Sequence, residues 1–433
     1  MSQIKLQKIT NLIIGFLEKL LLLNFFVFLI YLPYSNKLFP KISLYSGIFL
    51  WLLINILKYK QRFYRGFFPP SPLNRYFLFF GFACLFSIIL SLDPYHSQAI
   101  FFDRFLLFFF FFSMGLGLVS SAKNNLYFLI FAFIISGFII GLGGVYDYIY
   151  SSCMAPGSLD RLWSVFGKRI IYYGFPLYVT YYIPFNFAIF THARHKFLRI
   201  AGFVTFVLLF LCLLCNGSRI GLVAVLVSLL FISFFNLKKK KTILLSLTII
   251  ITLISVISIG PLSGNLKWRI KTMFYPSEWS YRLPLYHSAI SIFRDYPLIG
   301  IGVGMFEKVL HTPKYELPKD YPEPKKSNLH AHNTYLEVSA EMGIVGILTF
   351  LLIFITFFIK SIHLIILPKA LGSEDERAIF LGLVGTILAI LIFAFGTTII
   401  TVGFTVSSYF WFLFGMANGL LFRNTKLLTQ QKI

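Results

Sequence analysis

The residues best suited to chemistry lie near the end of a long hydrophilic segment. Residues 329–334 read Leu-His-Ala-His-Asn-Thr. Thr334 and Glu337, three positions apart, match a capping box, so we predict a helix that begins at about Tyr335. His332 then lies just before a helix N-terminus, where an imidazole can accept a proton near neutral pH and backbone N–H groups favour an anion. The pattern indicates acid-base chemistry at His332.

Other interpretations of this stretch remain open. His330 and His332 are also potential metal ligands, although no convincing third ligand follows them. Glu337 and Glu341 lie one helical turn apart, so they either cap and solvate a helix face or assist His332 with a carboxylate.

Arg219 lies in a very short turn between two apolar segments. The surrounding residues 216–221 read Asn-Gly-Ser-Arg-Ile-Gly. A guanidinium there either extends to the headgroup region as an anchor or binds a phosphate through its planar, bidentate donors. Arg219 is therefore a candidate phosphate ligand.

Arg282 lies just before a second predicted helix. Pro284 can occupy its first turn, and the helix should end before the Asp-Tyr-Pro run at residues 295–297. We expect its apolar stripe to contain Leu285, Ile290 and Phe293. Since a helix N-terminus favours anions, Arg282 is a second candidate phosphate ligand. The glycine-rich run at residues 300–304 does not have the spacing of a dinucleotide fingerprint and predicts a tight turn.

The composition places these residues in a membrane protein. Of 433 residues, 58% are hydrophobic and only 13% are charged, which excludes a soluble surface, a disordered chain and a collagen-like chain. A spanning helix needs about 20 mostly apolar residues. Candidate spans are 12–34, 38–57, 76–92, 105–120, 126–147, 173–191, 198–216, 220–236, 242–260, 343–366, 378–398 and 402–422. The sequence thus predicts an all-α polytopic integral membrane protein with about 12 transmembrane helices.

The basic residues orient these spans. With the N-terminus in the cytoplasm, about +18 of the formal net charge of +23 lies in inner connections, including the run from Lys238 to Lys241. The basic excess follows the positive-inside rule, so no nucleic-acid partner is implied. Both termini are expected inside. The chain then divides into nine helices (1–260), a large outer loop with the candidate site (261–342), and three helices with a short tail (343–433).

The interiors of the predicted spans contain almost no ionisable residues. Transporters and channels usually keep such groups along their pathway, so chemistry on the outer face is favoured over transport. Cys212 and Cys215 are expected to be buried packing rather than a redox centre. A tyrosine cluster is expected at the membrane interface, or alternatively in an acceptor groove; its members are Tyr172, Tyr173, Tyr178, Tyr181 and Tyr182.

The motifs resemble the O-antigen ligase family of bacterial envelope glycosyltransferases, which also includes O-antigen polymerases. The similarity rests on His332-Asn333, followed after nine residues by Gly-Ile-Val-Gly at 343–346. The run around Arg219 and residues 286–306 support it, as does the layout with one large outer loop between the ninth and tenth spans. The His-containing motif identifies the superfamily better than it separates ligases from polymerases.

The resemblance implies an enzyme of the bacterial inner membrane with a periplasmic active site. Such a ligase transfers a glycan from undecaprenyl diphosphate to lipid A-core. Arg219 and Arg282 would hold the diphosphate, and His332 would activate or position the acceptor hydroxyl. His330, Asn333 and Glu337 would line the substrate site, whereas Arg161, Arg169 and Arg269 are weaker candidates. No metal, nucleotide or other cofactor is implied.

Two alternatives differ from this expectation. An O-antigen polymerase would transfer the growing chain to another lipid-linked repeat and would use the same motifs. A transporter for the same lipid-linked sugars is the non-enzyme alternative; it predicts basic residues inside the spans and no dependence on a loop histidine.

Overall fold

Helices dominate the fold. The computed structural model describes residues 3–31, 38–59, 71–154, 162, 164–169, 174–235, 282–318, 321, 329–367, 371–402 and 404–430. The helices are α1 (Gln3–Tyr31), α2 (Leu38–Tyr59), α3 (Asn74–Ile89), α4 (Pro94–Ile100), α5 (Leu106–Ser121), α6 (Lys123–Met154), α7 (Gly174–His192), α8 (Lys196–Asn216), α9 (Arg219–Phe234), α10 (Leu283–Asp295), α11 (Phe306–Val309), α12 (Thr334–Ile366), α13 (Glu374–Phe393) and α14 (Phe404–Gln430). A π-helix (Phe101–Phe105) joins α4 to α5, and the two-residue strands β1 (Ser164–Val165) and β2 (Lys168–Arg169) pair as an antiparallel hairpin.

The helices agree with the apolar segments of the sequence. Eleven of the twelve predicted spans coincide with helices, while the span predicted at 242–260 lies outside the described residues. Seven helical segments are long and apolar enough to cross a membrane. Helices α3 and α9 are apolar as well, but each has 16 residues. The described part of the chain is therefore that of a polytopic all-α membrane protein.

Close backbone contacts hold the centre of the bundle together. Helices α5 and α14 approach each other at Gly115 and Gly415. A Cβ added to Gly115 would lie 2.3 Å from the carbonyl oxygen of Phe412, and one added to Gly415 would lie 2.1 Å from that of Phe112. In lipid, where hydrophobic burial adds little between helices, such small-residue contacts allow the dispersion packing that joins them.

Helix α7 lies inside the bundle, with every residue from Gly174 to Ile189 buried. The expected interfacial position is therefore wrong for Tyr178, Tyr181 and Tyr182, which are at most 5% exposed. Their hydroxyls are not left to water: Tyr182 bonds Ser136 at 2.8 Å and also Tyr409. Surrounding helices thus supply the polar partners that a belt residue finds in the headgroup region. Tyr172 and Tyr173 lie outside the described residues.

Cys212 and Cys215, which the sequence places in the core, pack within the helix bundle. Cys212 is buried and Cys215 is half-buried, and both are free thiols. The Cys212 thiol donates to the carbonyl of Gly141 at 3.3 Å. The burial that the sequence predicted is confirmed for Cys212.

Contacts between helix connections fall into two groups. At one end, Leu92 N–H donates to Ile301 O and Thr334 N–H donates to Ala394 O. At the other, Asp375 accepts the backbone N–H of Arg194, and buried Glu376 pairs with Lys123 and Arg423; these two ion-pair distances are 2.6 and 3.0 Å. Each contact joins segments that the charge pattern assigns to the same side of the membrane.

Helix α12 begins nine residues before the predicted tenth span and is interrupted at Gly343, where φ is +62° and ψ is −163°. Segment 297–302 runs along the interruption. The bonds are Ile301 N–H to Ala340 O (3.1 Å), Gly302 N–H to Glu341 O (2.9 Å) and Ile344 N–H to Pro297 O (2.8 Å). A Cβ on Gly343 would lie 2.3 Å from the carbonyl carbon of Leu298. The glycine of the motif therefore permits both the left-handed backbone and the close approach.

Candidate functional site

The start of α12 is capped by Asn333. Its side-chain Oδ1 accepts the backbone N–H groups of Tyr335 (3.0 Å) and Leu336 (3.1 Å). Thr334, the first helical residue, donates its hydroxyl to Thr397 O at 3.2 Å. The predicted helix is confirmed, but the predicted capping box is wrong. Asn333 caps the helix from one position earlier, through the N–H groups of Tyr335 and Leu336 rather than that of Glu337.

The Glu337 side chain does not hydrogen-bond back to the helix N-cap, because three other groups hold its carboxylate. Only 1% of the residue is exposed. One carboxylate oxygen lies 3.0 Å from Nδ1 of His330, and the other accepts the backbone N–H of Ala331 (2.7 Å) and the hydroxyl of Thr398 (2.9 Å). Glu337 is thus neither a cap nor a solvated residue. It ties the segment before α12 to the connection between α13 and α14.

This carboxylate also sets the charge of its neighbour. Burial disfavours the charged form of His330, but the adjacent Glu337 outweighs burial and raises the pKa of His330 above its ordinary value. The imidazole is therefore protonated over a wider pH range than a free histidine.

His332 occupies the left-handed region of backbone space, with φ at +48°. Non-glycine residues adopt it uncommonly, at a cost of about 1–2 kcal/mol. The residue is half-buried, and its carbonyl accepts the hydroxyl of Tyr286 at 3.5 Å. It lies between Ala331, which Glu337 holds, and the capping residue Asn333. Contacts on both sides thus maintain a conformation that histidine alone would not favour.

Arg282 immediately precedes α10, which begins as predicted at Leu283 and ends at Asp295, one residue later than predicted. Its carbonyl accepts the backbone N–H of Tyr286 at 2.9 Å, so one helical turn separates this arginine from the tyrosine that contacts His332. The buried stripe of α10 differs from the expected one. It contains Leu285, Ala289 and Ile292, whereas Ile290 is 38% exposed and Phe293 is half-buried.

Arg219 is the first residue of α9. Gly217, with φ at +65°, ends α8, and the Ser218 hydroxyl caps α9 by accepting the N–H of Gly221 at 3.3 Å. The next residue, Ile220, packs against Gly396, one position before Thr397 and two before Thr398, the contacts of Thr334 and Glu337. Arg219 is half-buried, and its neighbour Ile220 contacts the connection between α13 and α14 that holds the start of α12.

The structure brings some predicted residues into direct contact and relates others through neighbours. His330, Asn333 and Glu337 meet at the first turn of α12. Arg282 is related to this turn through Tyr286, which contacts His332. Arg219 is related to it through Ile220, which packs against the 396–398 connection. Arg169 belongs to β2, and Arg161 and Arg269 lie outside the described residues. Within the described ranges, no group of three His, Cys, Asp or Glu side chains is placed to hold a metal ion.

A polar cavity of about 360 Å³ adjoins this turn. Its lining includes His96, Arg104, Lys308, His311, His330 and Glu341. Arg104 and His96 are not among the site residues that the sequence predicts. The available signal was the Asp-Arg pair at 103–104, which interrupts an otherwise apolar run from Ala99 to Val119.

Glu341 borders this cavity and is 7% exposed. One of its carboxylate oxygens accepts the backbone N–H of Phe306 at 3.2 Å, and its backbone carbonyl accepts the hydroxyl of Ser87 at 2.8 Å. It is therefore buried rather than part of a solvated helix face.

A family model described as O-antigen ligase matches residues 204–351. The matched segment includes Arg219, Arg282 and the motif from His332 to Gly346. No curated protein matches the chain.

Proposed function

We propose that the protein is an O-antigen ligase, because the family model of that description matches residues 204–351, the segment that contains its motifs. It transfers a glycan from undecaprenyl diphosphate to lipid A-core. The observation that carries this proposal is the arrangement of residues around His332. A half-buried imidazole is held in a left-handed conformation at a helix start, between a buried Glu337 contact and the Asn333 cap.

The proposed step is a displacement at the anomeric carbon of the glycan. The acceptor hydroxyl oxygen bonds to that carbon while the bond from the carbon to the diphosphate oxygen breaks. The hydroxyl proton passes to His332, and undecaprenyl diphosphate leaves. Arg219 and Arg282 stabilise the charge that develops on the leaving group, so the proposed step uses no metal ion or nucleotide.

The reaction takes place on the periplasmic face of the inner membrane. We assign about 12 spans, cytoplasmic termini, and a periplasmic loop at 261–342 between the first nine helices (1–260) and the last three (343–433). The two groups of connection contacts support this arrangement, since Thr334 contacts the 394–399 segment and Asp375 contacts Arg194.

The decisive experiment is complementation of a deletion strain, read on gels of lipopolysaccharide and of undecaprenyl-linked glycan. The wild-type chain should restore O-units on the core. His332→Ala should leave the core bare, with polymer accumulating on the lipid carrier. His195→Ala, which changes an exposed histidine at the predicted inner end, is the matched control and should restore transfer.

Two results would overturn the proposal. Full transfer by a normally inserted His332→Ala variant would exclude the proposed chemistry. A deletion strain whose core carries a single repeat unit would identify a polymerase, which extends the chain before a different enzyme attaches it.

A further inference from the structure

A long apolar groove lies between α3 and the π-helix with α5, with a volume of about 570 Å³. Residues that line it include Phe77, Phe80, Gly81, Phe105, Phe108 and Trp411. From Asn74 to Leu85 it follows α3 for about 16 Å, roughly half the hydrocarbon thickness of a bilayer. Neighbouring α3 residues such as Phe79 and Phe86 are at least 50% exposed, so this face of α3 is uncovered within the described chain. The groove has the shape and lining for a lipid chain.

The groove meets the polar cavity at the π-helix. Phe101 and Phe105 line the groove, while Ile100 and Arg104, one position earlier in each case, line the cavity. On the other wall, Cys84 of α3 borders the groove, and Ser87, one turn later, bonds the carbonyl of Glu341, whose side chain borders the cavity. An apolar surface thus leads directly to a polar pocket beside the start of α12.

The cavity combines cations with hydrogen-bonding carboxylates. Lys308 is paired with Asp93 at 2.5 Å, but Arg104 forms no salt bridge with any carboxylate in the described ranges. His96, His311 and His330 can hydrogen-bond to hydroxyls and anions, and Glu307 and Glu341 can accept hydrogen bonds from hydroxyls. This mixture suits a saccharide that also bears a phosphate or carboxylate.

The cavity and the start of α9, where Arg219 lies, adjoin α12 through different connections. Ile220, the residue after Arg219, packs against Gly396 in the connection that contains Thr398, whereas Arg104 and His330 line the cavity with Gly304 and Lys308. Glu337 lies between them, with one oxygen on Thr398 and the other on His330. A transferase with two substrates needs a separate binding site for each of them, with both sites next to one catalytic group.

We propose that the groove and the cavity together bind the acceptor as an amphiphile, a glycolipid with an anionic saccharide headgroup. Its lipid chain lies against Phe80, Phe105 and Trp411, and its charged saccharide binds Arg104 in the cavity. This places acceptor hydroxyls beside the segment that contains His332. The assignment rests on the proposed transferase function and identifies where the acceptor of that function binds and which residues contact it.

Kinetics with each substrate varied in turn test the headgroup contact. The protein is placed in nanodiscs of zwitterionic phospholipid, with lipid A-core and undecaprenyl-diphosphate-linked glycan as substrates. Arg104→Gln should raise KM for lipid A-core about tenfold, because a charge-assisted bond is lost, and leave KM for the donor within about twofold. Arg294→Gln, which removes an exposed charge from α10, is the matched control and should change neither constant.

A blocking substitution tests the groove. Gly81 lines it, and a Cβ at that position meets no atom within 4 Å, so Gly81→Trp fills the groove without a clash at the backbone. Gly15→Trp adds the same side chain to equally open space on α1 and is the control. Gly81→Trp should reduce the lipid A-core that stays bound to purified protein, measured by native mass spectrometry, and Gly15→Trp should not.

The two readouts separate failure of this assignment from failure of the function. Native mass spectrometry is therefore applied to both variants, and loss of bound lipid A-core in Arg104→Gln and Gly81→Trp supports the acceptor site even if transfer to lipid A-core is not observed. Unchanged acceptor binding and KM in both variants would overturn the assignment. A raised donor KM with an unchanged acceptor KM would also overturn it, because the groove would then hold the donor.

Discussion

Glu337 and His330 form an ion pair at 3.0 Å, seven residues apart, across the start of α12. The carboxylate is almost completely buried, while the imidazole remains 22% exposed at the cavity. Because the second carboxylate oxygen holds the N–H of Ala331, the pair fixes the two residues that precede His332. The conformation of the proposed catalytic residue therefore depends on a residue one turn into the helix.

Replacement of Glu337 should weaken the fold as well as the reaction. Glu337→Gln keeps the size of the side chain but removes the charge that faces His330 and one of the two acceptor oxygens. We expect a loss of about 3 kcal/mol in the free energy of unfolding, typical of a buried pair that loses one partner. Thermal unfolding in detergent micelles measures it. Exposed Glu374→Gln is the control, and equal midpoints for the two variants would contradict the structural role of Glu337.

The same pair predicts a pH dependence of stability. The pKa of His330 is raised in the folded state, so its contribution is complete below the ordinary pKa of about 6.5 and is lost as pH rises through the raised value. The unfolding midpoint should therefore fall as the pH rises from about 6.5 through the raised pKa of His330. His330→Gln should remove this part of the dependence. Identical pH profiles for wild type and variant would show that the pair does not stabilise the fold.

The sequence predicted the helices well, because they depend on local patterns. Pro284 marked the start of α10 and therefore the position of Arg282. The capping box failed because Thr334 and Glu337 have tertiary partners, Thr397 and Thr398, that are about 60 residues away and leave no local signal. The burial of Tyr182 likewise depends on Tyr409, more than 200 residues later.

The polar cavity could not be predicted from the sequence for a related reason. It is assembled from three separate segments, around Arg104, Lys308 and His330, and no spacing relates them. Only the charge at Arg104, beside an apolar run, marked a place where the chain leaves the hydrocarbon region.

The interruption of α12 provides a backbone prediction. Gly343→Ala would place a Cβ 2.3 Å from the Leu298 carbonyl carbon, at a φ of +62° that alanine disfavours by about 1–2 kcal/mol. The segment 297–302 would have to move, so we expect lower stability and reduced transfer. Gly15→Ala, in open space within α1, should leave stability unchanged or raise it by up to about 1 kcal/mol. Thermal unfolding compares the two variants. Equal unfolding midpoints would show that the hydrogen bonds between segment 297–302 and α12 around Gly343 are dispensable.

The assignment of Arg219 and Arg282 to the diphosphate predicts that charge alone is not sufficient. Lysine keeps the positive charge but lacks the planar fork that binds two phosphate oxygens at once. Arg219→Lys and Arg282→Lys should each weaken binding of undecaprenyl diphosphate to the purified protein by about tenfold, with KM for the acceptor unchanged. Arg199→Lys, at an exposed position in α8 on the predicted inner side, should bind the lipid as the wild type does. If both site variants bound it as tightly as Arg199→Lys, neither guanidinium would be a diphosphate ligand, and the charge stabilisation of the leaving group would have to come from other residues around His332.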